Sequence, residues 1–334
     1  MAEALLFGEK EAQILAAKEI EKLNSRQKQK LAEKGVISPL VLMLHNQDYE
    51  SIEAAMFALL NLAFGSERNK LRIAKAGAIP AILKIIQQCR NATLMELPLA
   101  ALLILSSCSA NKLEIASSGA VQLLFQLLDT RFTVSPSISN QAMFDILSTL
   151  HNLSTCPRII PSILISGGLI ALVRLIRDAR KSSELVEKAM VLLECIVDSS
   201  EVALHQVCES PMVIPMLVEA VEEGSAACQQ HAVGILLSIC RSCRERYRGL
   251  ILNEGAMAGL LQLSVDGTWI ARDKAKALIL LLRDSGHGVS SSSSSRDRRP
   301  KNVELEEVMR QIDREERGGN CIKIVEEMIA KLRT

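Results

Sequence analysis

Apolar and polar positions alternate along this chain with the spacing of amphipathic helices that are grouped in threes. In residues 69–110 the pattern predicts a short helix over 69–75, a second over 78–86 and a longer third over about 95–108. The third-helix pattern, with apolar residues at i, i+3, i+4 and i+7, occurs six times, over 51–64, 95–107, 140–154, 184–197, 226–240 and 270–283. A further helix, predicted over 10–22, either caps the stack or belongs to a degenerate first repeat.

A glycine-led block marks the junction between the first and second helix of each group. Its aligned positions are Gly35, Gly77, Gly119, Gly167, Met212 and Gly255, separated by 42, 42, 48, 45 and 43 residues. Glycine at this junction predicts a sharp turn that a side chain would disfavour. The spacing of Thr93 and Glu96 predicts a capping box at the start of a third helix.

Periods of 20–50 residues are typical of stacked repeats, none of which buries its apolar face alone. The sequence therefore predicts an all-α superhelix (an α-solenoid) of about six repeats with a helical C-terminal tail. We expect capping helices over 1–34, repeats over 35–284, a Ser-rich, flexible basic linker over 285–302 and an amphipathic helical tail over 303–334. The tail is compatible with docking on the repeats, pairing with another chain or remaining loosely ordered.

Composition narrows the classes of partner. Hydrophobic residues make up 49 % of the chain and aromatic residues only 3 %, which indicates a core filled by aliphatic side chains. A net charge of +1 provides no overall field for nucleic acid or anionic lipid, so we expect no nucleic-acid partner. The longest stretches without Asp, Glu, Lys, Arg or His, 97–111 and 159–173, are shorter than the ~20 residues that span a bilayer, so we expect no membrane insertion. Scattered cysteines are typical of a reducing compartment, which predicts a cytoplasmic or nuclear location.

The residues also bear on chemistry. Cys240 and Cys243 form a CxxC pair, and Cys228 and His231 lie nearby in sequence at the spacing of metal ligands. If 226–240 is one helix, His231 and Cys240 are ~13 Å apart along it, too far to share one zinc ion. No phosphate-binding loop, nucleophile elbow or HExxH motif occurs. We therefore expect neither a cofactor nor a metal, and a chain that is not an enzyme.

Two segments resemble each other and a known family. N-K-L-R-I-A-K-A-G-A-I at 69–79 and N-K-L-E-I-A-S-S-G-A-V at 111–121 match its repeat opening, and Gly267–Thr268 precedes a basic helix with Leu278 to Arg283 at its end. Over about 10–284 the chain resembles the armadillo-repeat family, in particular the armadillo regions of plant U-box ubiquitin ligases and of their relatives without a U-box. The resemblance implies that the superhelix is right-handed.

This resemblance implies that an extended peptide segment or a helix of a partner protein binds in a concave groove lined by the third helices. The alignment places Asn61, Ile104, Asn152, Cys195, Ser238 and Leu281 at one groove position, and Phe57, Ala100, Ser148, Val191, Gly234 and Ala277 four residues earlier. We expect partner contacts at Phe57, Asn61, Ser148, Asn152 and Ser238. For Asn61 and Asn152 the alternative is that they cap or cross-link neighbouring helices. Nuclear-import receptors of the family carry asparagine and tryptophan at these positions, and the absence of tryptophan here disfavours that activity.

Two further features have alternative readings. Acids recur near the starts of third helices, at Glu53, Glu96, Glu187 and Asp273. They either form an acidic rim that selects basic peptides or stabilise the first helical turn, which we favour. The loop 129–139 carries Phe132 and Val134 as anchors for a partner or, as we favour, as residues folded onto a neighbouring helix.

The leading hypothesis is a non-enzymatic scaffold or adaptor that binds a partner protein. The alternative is the substrate-recognition region of a U-box-type ubiquitin ligase, with ubiquitin-pathway partners, and the third is a nuclear-transport receptor. No segment resembles the I-C-P-I core of a U-box, so we expect either a truncated ligase or a member that never had the domain. In either case this polypeptide should not transfer ubiquitin by itself.

Overall fold

A computed structural model describes residues 1–88, 92–129 and 138–283, and all regular structure in these ranges is helical. The chain divides into two compact units, Met1–Leu175 (unit 1) and Ile176–Thr334 (unit 2). The linker over 285–302, the tail over 303–334 and the loop residues Phe132 and Val134 lie outside the described residues, and their predicted roles remain predictions.

Unit 1 begins with an N-terminal pair of helices, and helix triplets follow. The helices are α1 (Ala2–Phe7), α2 (Lys10–Lys18), α3 (Ser25–Glu33), α4 (Ile37–Met43), α5 (Tyr49–Ala63), α6 (Glu67–Lys75), α7 (Ala78–Gln88), α8 (Ala92–Ser106), α9 (Lys112–Ser117), α10 (Ala120–Asp129), α11 (Asn140–Ser154) and α12 (Ile160–Ile165). Short 3-10 turns, Glu19–Lys22, Ser109–Asn111 and Pro157–Ile159, follow α2 and precede α9 and α12. Helix α2 packs against α5, as α5 packs against α8 and α8 against α11, so α2 takes the place of a third helix in a degenerate repeat.

The boundary between the units falls within α13 (Gly168–Asp178). The helices of unit 2 that follow are α14 (Glu184–Ser199), α15 (Glu201–Glu209), α16 (Val213–Glu223), α17 (Ala226–Ser242), α18 (Arg244–Asn253), α19 (Met257–Asp266) and α20 (Trp269–Leu282). The third helices α14, α17 and α20 pack side by side, and the second helices α16 and α19 pack on α17 and α20. The described residues thus contain six triplets, as the sequence period predicts.

The third helices begin where a polar residue caps them. Asp48, Ser139, Ser183, Ser225 and Thr268 each accept a hydrogen bond from the backbone N–H three residues later, which satisfies a donor that the helix leaves free. The predicted third helix over 140–154 agrees with α11 at both ends. The other predicted boundaries are within three residues of the observed ones.

One predicted cap is wrong. Helix α8 begins at Ala92, so Thr93 lies inside the helix and is not the residue that precedes it. Thr93 therefore does not occupy the N-cap position that a capping box requires. The motif is a four-residue pattern that also occurs by chance within helices.

The glycine turn is confirmed, and its cause is the backbone conformation. Gly77 and Gly119 both have φ +87°, in the left-handed region that favours glycine, and nothing lies within 4 Å of a Cβ built on either. Met212 makes the junction differently, with φ −83° and ψ −13°. There α15 already ends at Glu209, because Ser210 is extended before Pro211, as expected for a residue preceding proline.

The asparagine of the repeated N-K motif is buried and caps the C-terminal end of the preceding third helix. Asn69 Nδ2 donates to the Leu62 carbonyl at 2.9 Å, and Asn111 Nδ2 donates to the Leu105 carbonyl at 3.2 Å. Both carbonyls lie in the last turn of a third helix, where no intrahelical donor is available. Asn111 also donates to the Lys70 carbonyl, 3.1 Å away, and so joins one triplet to the next.

Three lysines 42 residues apart tie the first helix of each triplet in unit 1 to its third helix. Lys28 Nζ donates to Asn61 Oδ1 at 2.9 Å, Lys70 Nζ to Ser107 Oγ at 2.8 Å, and Lys112 Nζ to Thr155 Oγ1 at 2.6 Å. These lysines form a periodic set of bonds, each of which closes within one triplet.

Candidate partner-binding surface

Each third helix leaves one stripe of side chains partly accessible while its other faces are buried. The six aligned positions predicted from the sequence, Asn61, Ile104, Asn152, Cys195, Ser238 and Leu281, are all half-buried. We call the stripes on α5, α8 and α11 the third-helix surface of unit 1, and those on α14, α17 and α20 the third-helix surface of unit 2. Equal exposure at equivalent positions shows that the alignment identified one structural row within each unit.

Phe57 and Asn61 lie one turn apart on α5. The Phe57 side chain is 50 % exposed, so a large apolar group faces solvent on the third-helix surface of unit 1. Asn61 Nδ2 donates to the Phe57 carbonyl at 3.0 Å, and its Oδ1 accepts from Lys28. Both polar atoms of the Asn61 side-chain amide therefore already have a hydrogen-bond partner within the chain.

Ser148 and Asn152 lie on α11 in the same unit, and both are half-buried. Asn152 Nδ2 donates to Ser106 Oγ on α8 at 3.0 Å, which links two adjacent third helices. This bond is of the kind that the cross-linking alternative requires. Contact of Asn61, Ser148 or Asn152 with a partner remains a prediction.

A narrow apolar cleft lies between α5 and α8. Leu60 and Ile104 stand half-buried at its edge, with Ala101 below them. The cleft is shallow and its lining is apolar, so it offers apolar contact rather than a cavity for a ligand. The third-helix surface of unit 1 therefore combines apolar groups with uncharged polar groups.

The third-helix surface of unit 2 has different chemistry, because a buried carboxylate joins three successive third helices. Glu194 on α14 has a side chain that is only 12 % exposed. Its Oε2 lies 2.5 Å from His231 Nδ1 on α17, and its Oε1 lies 2.6 Å from Lys274 Nζ on α20. The carboxylate thus meets one donor from each of the next two repeats.

Gly234 provides the space for this network. A Cβ at position 234 would lie 1.8 Å from Glu194 Oε1 and 2.6 Å from Lys274 Nζ. Gly234 occupies the row where import receptors of the family carry an aromatic side chain. In this chain the corresponding space is filled by the chain's own ion pair.

The charges of the cluster are set by its contacts. Burial by itself would raise the pKa of Glu194, but the hydrogen bonds from His231 and Lys274 lower it overall, so the carboxylate is ionised. Since an ionised carboxylate only accepts, His231 Nδ1 carries the proton between them. Partial burial raises the pKa of Asp198, one turn beyond Glu194, against the opposing effect of a hydrogen bond from Ser238 Oγ at 3.1 Å.

The favoured interpretation of the recurring acids is wrong for three of the four. Only Glu187 lies in the first turn of its helix, whereas Glu53, Glu96 and Asp273 each lie at the fifth position of theirs. The sequence misplaced them because these helices begin earlier than predicted. Whether the acids form a rim that selects basic peptides stays a prediction.

Cys195 belongs to the aligned row, whereas Cys228 and the CxxC pair Cys240 and Cys243 lie outside it. Cys228 and Cys240 are buried on α17, while Cys243 is exposed at its end. Burial, with Glu187 nearby, raises the pKa of Cys228 to about 11, so its thiol is protonated at neutral pH. Within 1–88, 92–129 and 138–283, no three His, Cys, Asp or Glu side chains converge as metal ligands would. No single helix in these ranges is long and apolar enough to cross a membrane.

The Glu194 cluster was missed by sequence reasoning, although the alignment contains a signal for it. Seven residues before the groove row stand Asp145, Lys188, His231 and Lys274, at intervals of 43 residues. Four titratable residues in one aligned row of amphipathic helices are unusual on a half-buried face. The signal indicated charged contacts between repeats but not the identity of the acceptor, Glu194, which lies in another row.

The chain is similar to several known proteins. Residues 133–298 match the family described as the plant U-box protein ARM repeat region. A structure of computationally designed armadillo repeat proteins for modular peptide recognition superimposes with a TM-score of 0.64 at 19 % identity, and covers 73 % of this chain and 99 % of its own. This chain has the armadillo-repeat fold. The fold that the sequence predicted is thereby confirmed.

Further similarities are consistent with this assignment. The armadillo chain is 30 % identical over 148 residues to U-box domain-containing protein 45 of Arabidopsis thaliana, a match that covers 43 % of this chain and 18 % of that protein. It is 29 % identical over 122 residues to U-box domain-containing protein 1 of Medicago truncatula, covering 36 % and 17 % respectively. The match therefore spans less than a fifth of the length of these relatives.

Structures of engineered proteins share the fold. One engineered protein has a TM-score of 0.73 at 18 % identity and covers 100 % of this chain and 77 % of its own. A designed armadillo repeat protein in complex with the peptide (KR)4 has a TM-score of 0.51 at 18 % identity, and covers 84 % and 97 %. These likenesses show the fold alone.

Proposed function

We propose that this armadillo protein is a non-enzymatic scaffold or adaptor that binds an extended peptide segment or a helix of a partner protein along its third-helix surfaces. The observation that carries the proposal is, in each unit, a row of three equivalent, half-buried positions on successive third helices. Such a row repeats at the spacing of the helices and so provides evenly placed contacts for an extended chain. The designed armadillo neighbours described for peptide recognition support the same use of the fold.

The two surfaces suit different parts of a partner. On unit 1, Phe57 and the cleft edge at Ile104 offer apolar contact, while Ser148 offers a hydroxyl group. On unit 2, the exposed carboxylate of Asp198 and the cluster around Glu194 offer charged contact. We therefore expect apolar partner residues at unit 1 and charged ones at unit 2. A cytoplasmic or nuclear location, in keeping with the free thiols, is part of the proposal.

The test compares surface variants with matched controls. The full chain is used for affinity capture as wild type and as Phe57→Ala, Ser148→Arg, Asn152→Ala and Ser238→Arg. Phe64→Ala and Ser117→Arg are the controls, because Phe64 is 81 % exposed beyond the end of α5 and Ser117 is exposed on a first helix. Partners lost from the surface variants and retained by both controls support the proposal. Equal loss from the surface variants and the controls contradicts it.

A second candidate function is favoured by the match to the ARM region of plant U-box proteins. In this version the repeats recognise substrates for ubiquitin ligation, with components of the ubiquitin pathway among the partners. A reconstituted reaction with ubiquitin, an activating enzyme and a conjugating enzyme distinguishes the two. Ubiquitin chains formed on addition of this polypeptide alone would exclude the pure scaffold. Ubiquitination of a captured partner only when a separate ligase is added supports substrate recognition.

A nuclear-transport receptor is the least supported candidate, because Gly234 and Ala277 stand where import receptors of the family carry tryptophan. Failure of the intact chain to bind lysine-rich peptides at micromolar concentration would remove this candidate.

A further inference from the structure

Lys274 crosses a neighbouring helix to reach its acceptor. Its Nζ lies 2.6 Å from Glu194 Oε1, although α20 and α14 are separated by α17 in the stack. The ammonium group passes over Gly234, where even a methyl group would overlap both partners. A long flexible side chain thus fills a recess that is open on one side, since the Lys274 side chain is 28 % exposed.

We propose that Glu194 above Gly234 is a binding site for a primary ammonium group, which Lys274 occupies in cis and which a lysine side chain of a partner occupies in exchange. The exchange rests on the proposed function, because it requires a partner on the third-helix surface of unit 2. The site itself is a property of this chain alone.

The cluster favours lysine over arginine. His231 Nδ1 already holds Glu194 Oε2 at 2.5 Å, whereas Oε1 is the oxygen that Lys274 reaches and that an incoming donor would take over. A guanidinium group achieves its strongest pairing with both oxygens of a carboxylate, whereas an ammonium group needs only one. Asp198 is exposed one helical turn beyond Glu194 on α14, so it adds a second negative charge to the same surface.

Because Lys274 occupies the site, a lysine side chain of a partner binds there more weakly. A ligand that competes with a group held in the same molecule binds only in the fraction of molecules where that group has left, and its apparent dissociation constant rises by the inverse of that fraction. If Lys274 is displaced one-tenth of the time, its removal tightens binding of a lysine-bearing peptide by about tenfold. The intact chain therefore masks its own site.

Chemical rescue tests the site directly. In Lys274→Ala the missing atoms correspond to n-propylammonium, so this cation should raise the thermal midpoint of the variant toward that of the wild type. Tetramethylammonium at the same ionic strength is the control, because it carries the charge but donates no hydrogen bond. Glu194→Gln/Lys274→Ala should show no specific rescue. Equal effects of the two cations, or equal rescue of the double variant, would overturn the proposal.

Peptide binding tests the exchange. A fluorescent peptide containing lysine is compared with matched peptides containing arginine or norleucine, on wild type and on Lys274→Ala. We expect the lysine peptide to bind the variant about tenfold more tightly than the wild type and more tightly than the arginine peptide binds. Unchanged affinity, or a preference for arginine, would contradict exchange at Glu194.

A second variant keeps the proposal testable if Lys274→Ala does not fold. Lys274→Gln retains a neutral donor for Glu194, so its affinity for the lysine peptide should lie above that of the wild type. An affinity no higher than that of the wild type would count against the site. Suppose that n-propylammonium rescues Lys274→Ala but that capture of partners is unchanged by the third-helix variants. That result would refute the proposed function and leave the ammonium site standing. The reverse pattern would refute the site alone.

Discussion

Gly234 and Glu194 lie so close that a Cβ on Gly234 would be 1.8 Å from Oε1 of the glutamate. Helix interiors normally favour alanine over glycine by about 1 kcal/mol. At position 234 the absence of a side chain is instead what allows the carboxylate to reach between helices. The glycine and the buried charge therefore form one structural unit.

Gly234→Ala should lower the free energy of unfolding by about 2–3 kcal/mol, despite the better helix propensity of alanine, because the methyl group displaces a buried ion pair. The measurement is urea unfolding followed by circular dichroism. Gly249→Ala is the matched control, since Gly249 lies within α18 with nothing within 4 Å of a Cβ there. The control should gain up to about 1 kcal/mol. Equal effects at the two positions would contradict the packing argument.

Gly77→Ala should destabilise the fold by about 1–2 kcal/mol, because alanine is strained at φ +87°. The same urea experiment measures the loss. Met212→Gly is informative in comparison, since Met212 has negative φ at the equivalent junction. It should bring no gain in stability. Stabilisation by Met212→Gly would show that the junction itself selects glycine.

Asn111→Ala should cost about 2–3 kcal/mol, because it removes two hydrogen bonds of a fully buried side chain, to the Leu105 and Lys70 carbonyls. Asn152→Ala removes one half-buried hydrogen bond, to Ser106, and should cost about 1 kcal/mol. Both losses are read from thermal and urea unfolding. Similar costs for the two variants would argue against a distinct role for the asparagine of the N-K motif.

Two carboxylates should give opposite dependences of stability on pH. The pKa of Glu194 is lowered in the folded chain, so its stabilising contribution is present above its ordinary pKa and is lost as pH falls through the folded value. Glu194→Gln should therefore destabilise the protein at pH 7 by about 2–3 kcal/mol and by less near pH 3. Unfolding curves collected from pH 7 to pH 3 measure this difference.

Asp145 provides the contrast. Burial raises its pKa, with the nearby charge of Glu96 contributing in the same sense, against a hydrogen bond from Gln141. Its ionised form therefore reduces stability above the folded pKa, and protonation relieves this cost as pH falls. Asp145→Asn should stabilise the chain at pH 7, and the gain should shrink below the ordinary pKa of aspartate. A loss of stability at pH 7 would reverse this assignment.

Cys243 should react with iodoacetamide well before Cys228. Cys243 is exposed, whereas burial gives Cys228 a pKa of about 11, so about one molecule in a thousand carries that thiolate at pH 8. Mass spectrometry of tryptic peptides over a time course measures both rates. Comparable rates under native conditions would mean that α17 opens readily.

The sequence predicts the repeat architecture because its signals are local. The apolar stripe and the cap at Ser139 lie within one helix, and α11 is predicted to its last residue. The turn at Gly77 likewise depends on the conformation of a single residue. Such features follow from neighbours in sequence and need no knowledge of the packing.

The charged cluster depends on contacts that the sequence does not reveal. Glu194 lies 37 residues from His231 and 80 from Lys274, and which atoms meet depends on how α17 packs between its neighbours. The internal bonds of Asn61 and Asn152 were foreseen only as an alternative, because an asparagine on a half-buried face serves equally well as a cross-link or as a contact for a peptide. Thr93 illustrates the opposite error, since a four-residue motif predicted a helix start at a position that lies inside α8.

The lysine bonds of unit 1 and the Glu194 network also bear on how such a chain is inherited. A bond that closes inside one repeat, such as Lys70 to Ser107, is copied whole whenever a repeat is duplicated, and it survives when a neighbouring repeat is lost. The network around Glu194 requires α14, α17 and α20 in that order, so deletion or exchange of any one of their repeats leaves a charge stranded. Duplication of a repeat therefore leaves the lysine bonds of unit 1 intact. The Glu194 network of unit 2, in contrast, requires that its three repeats be inherited together.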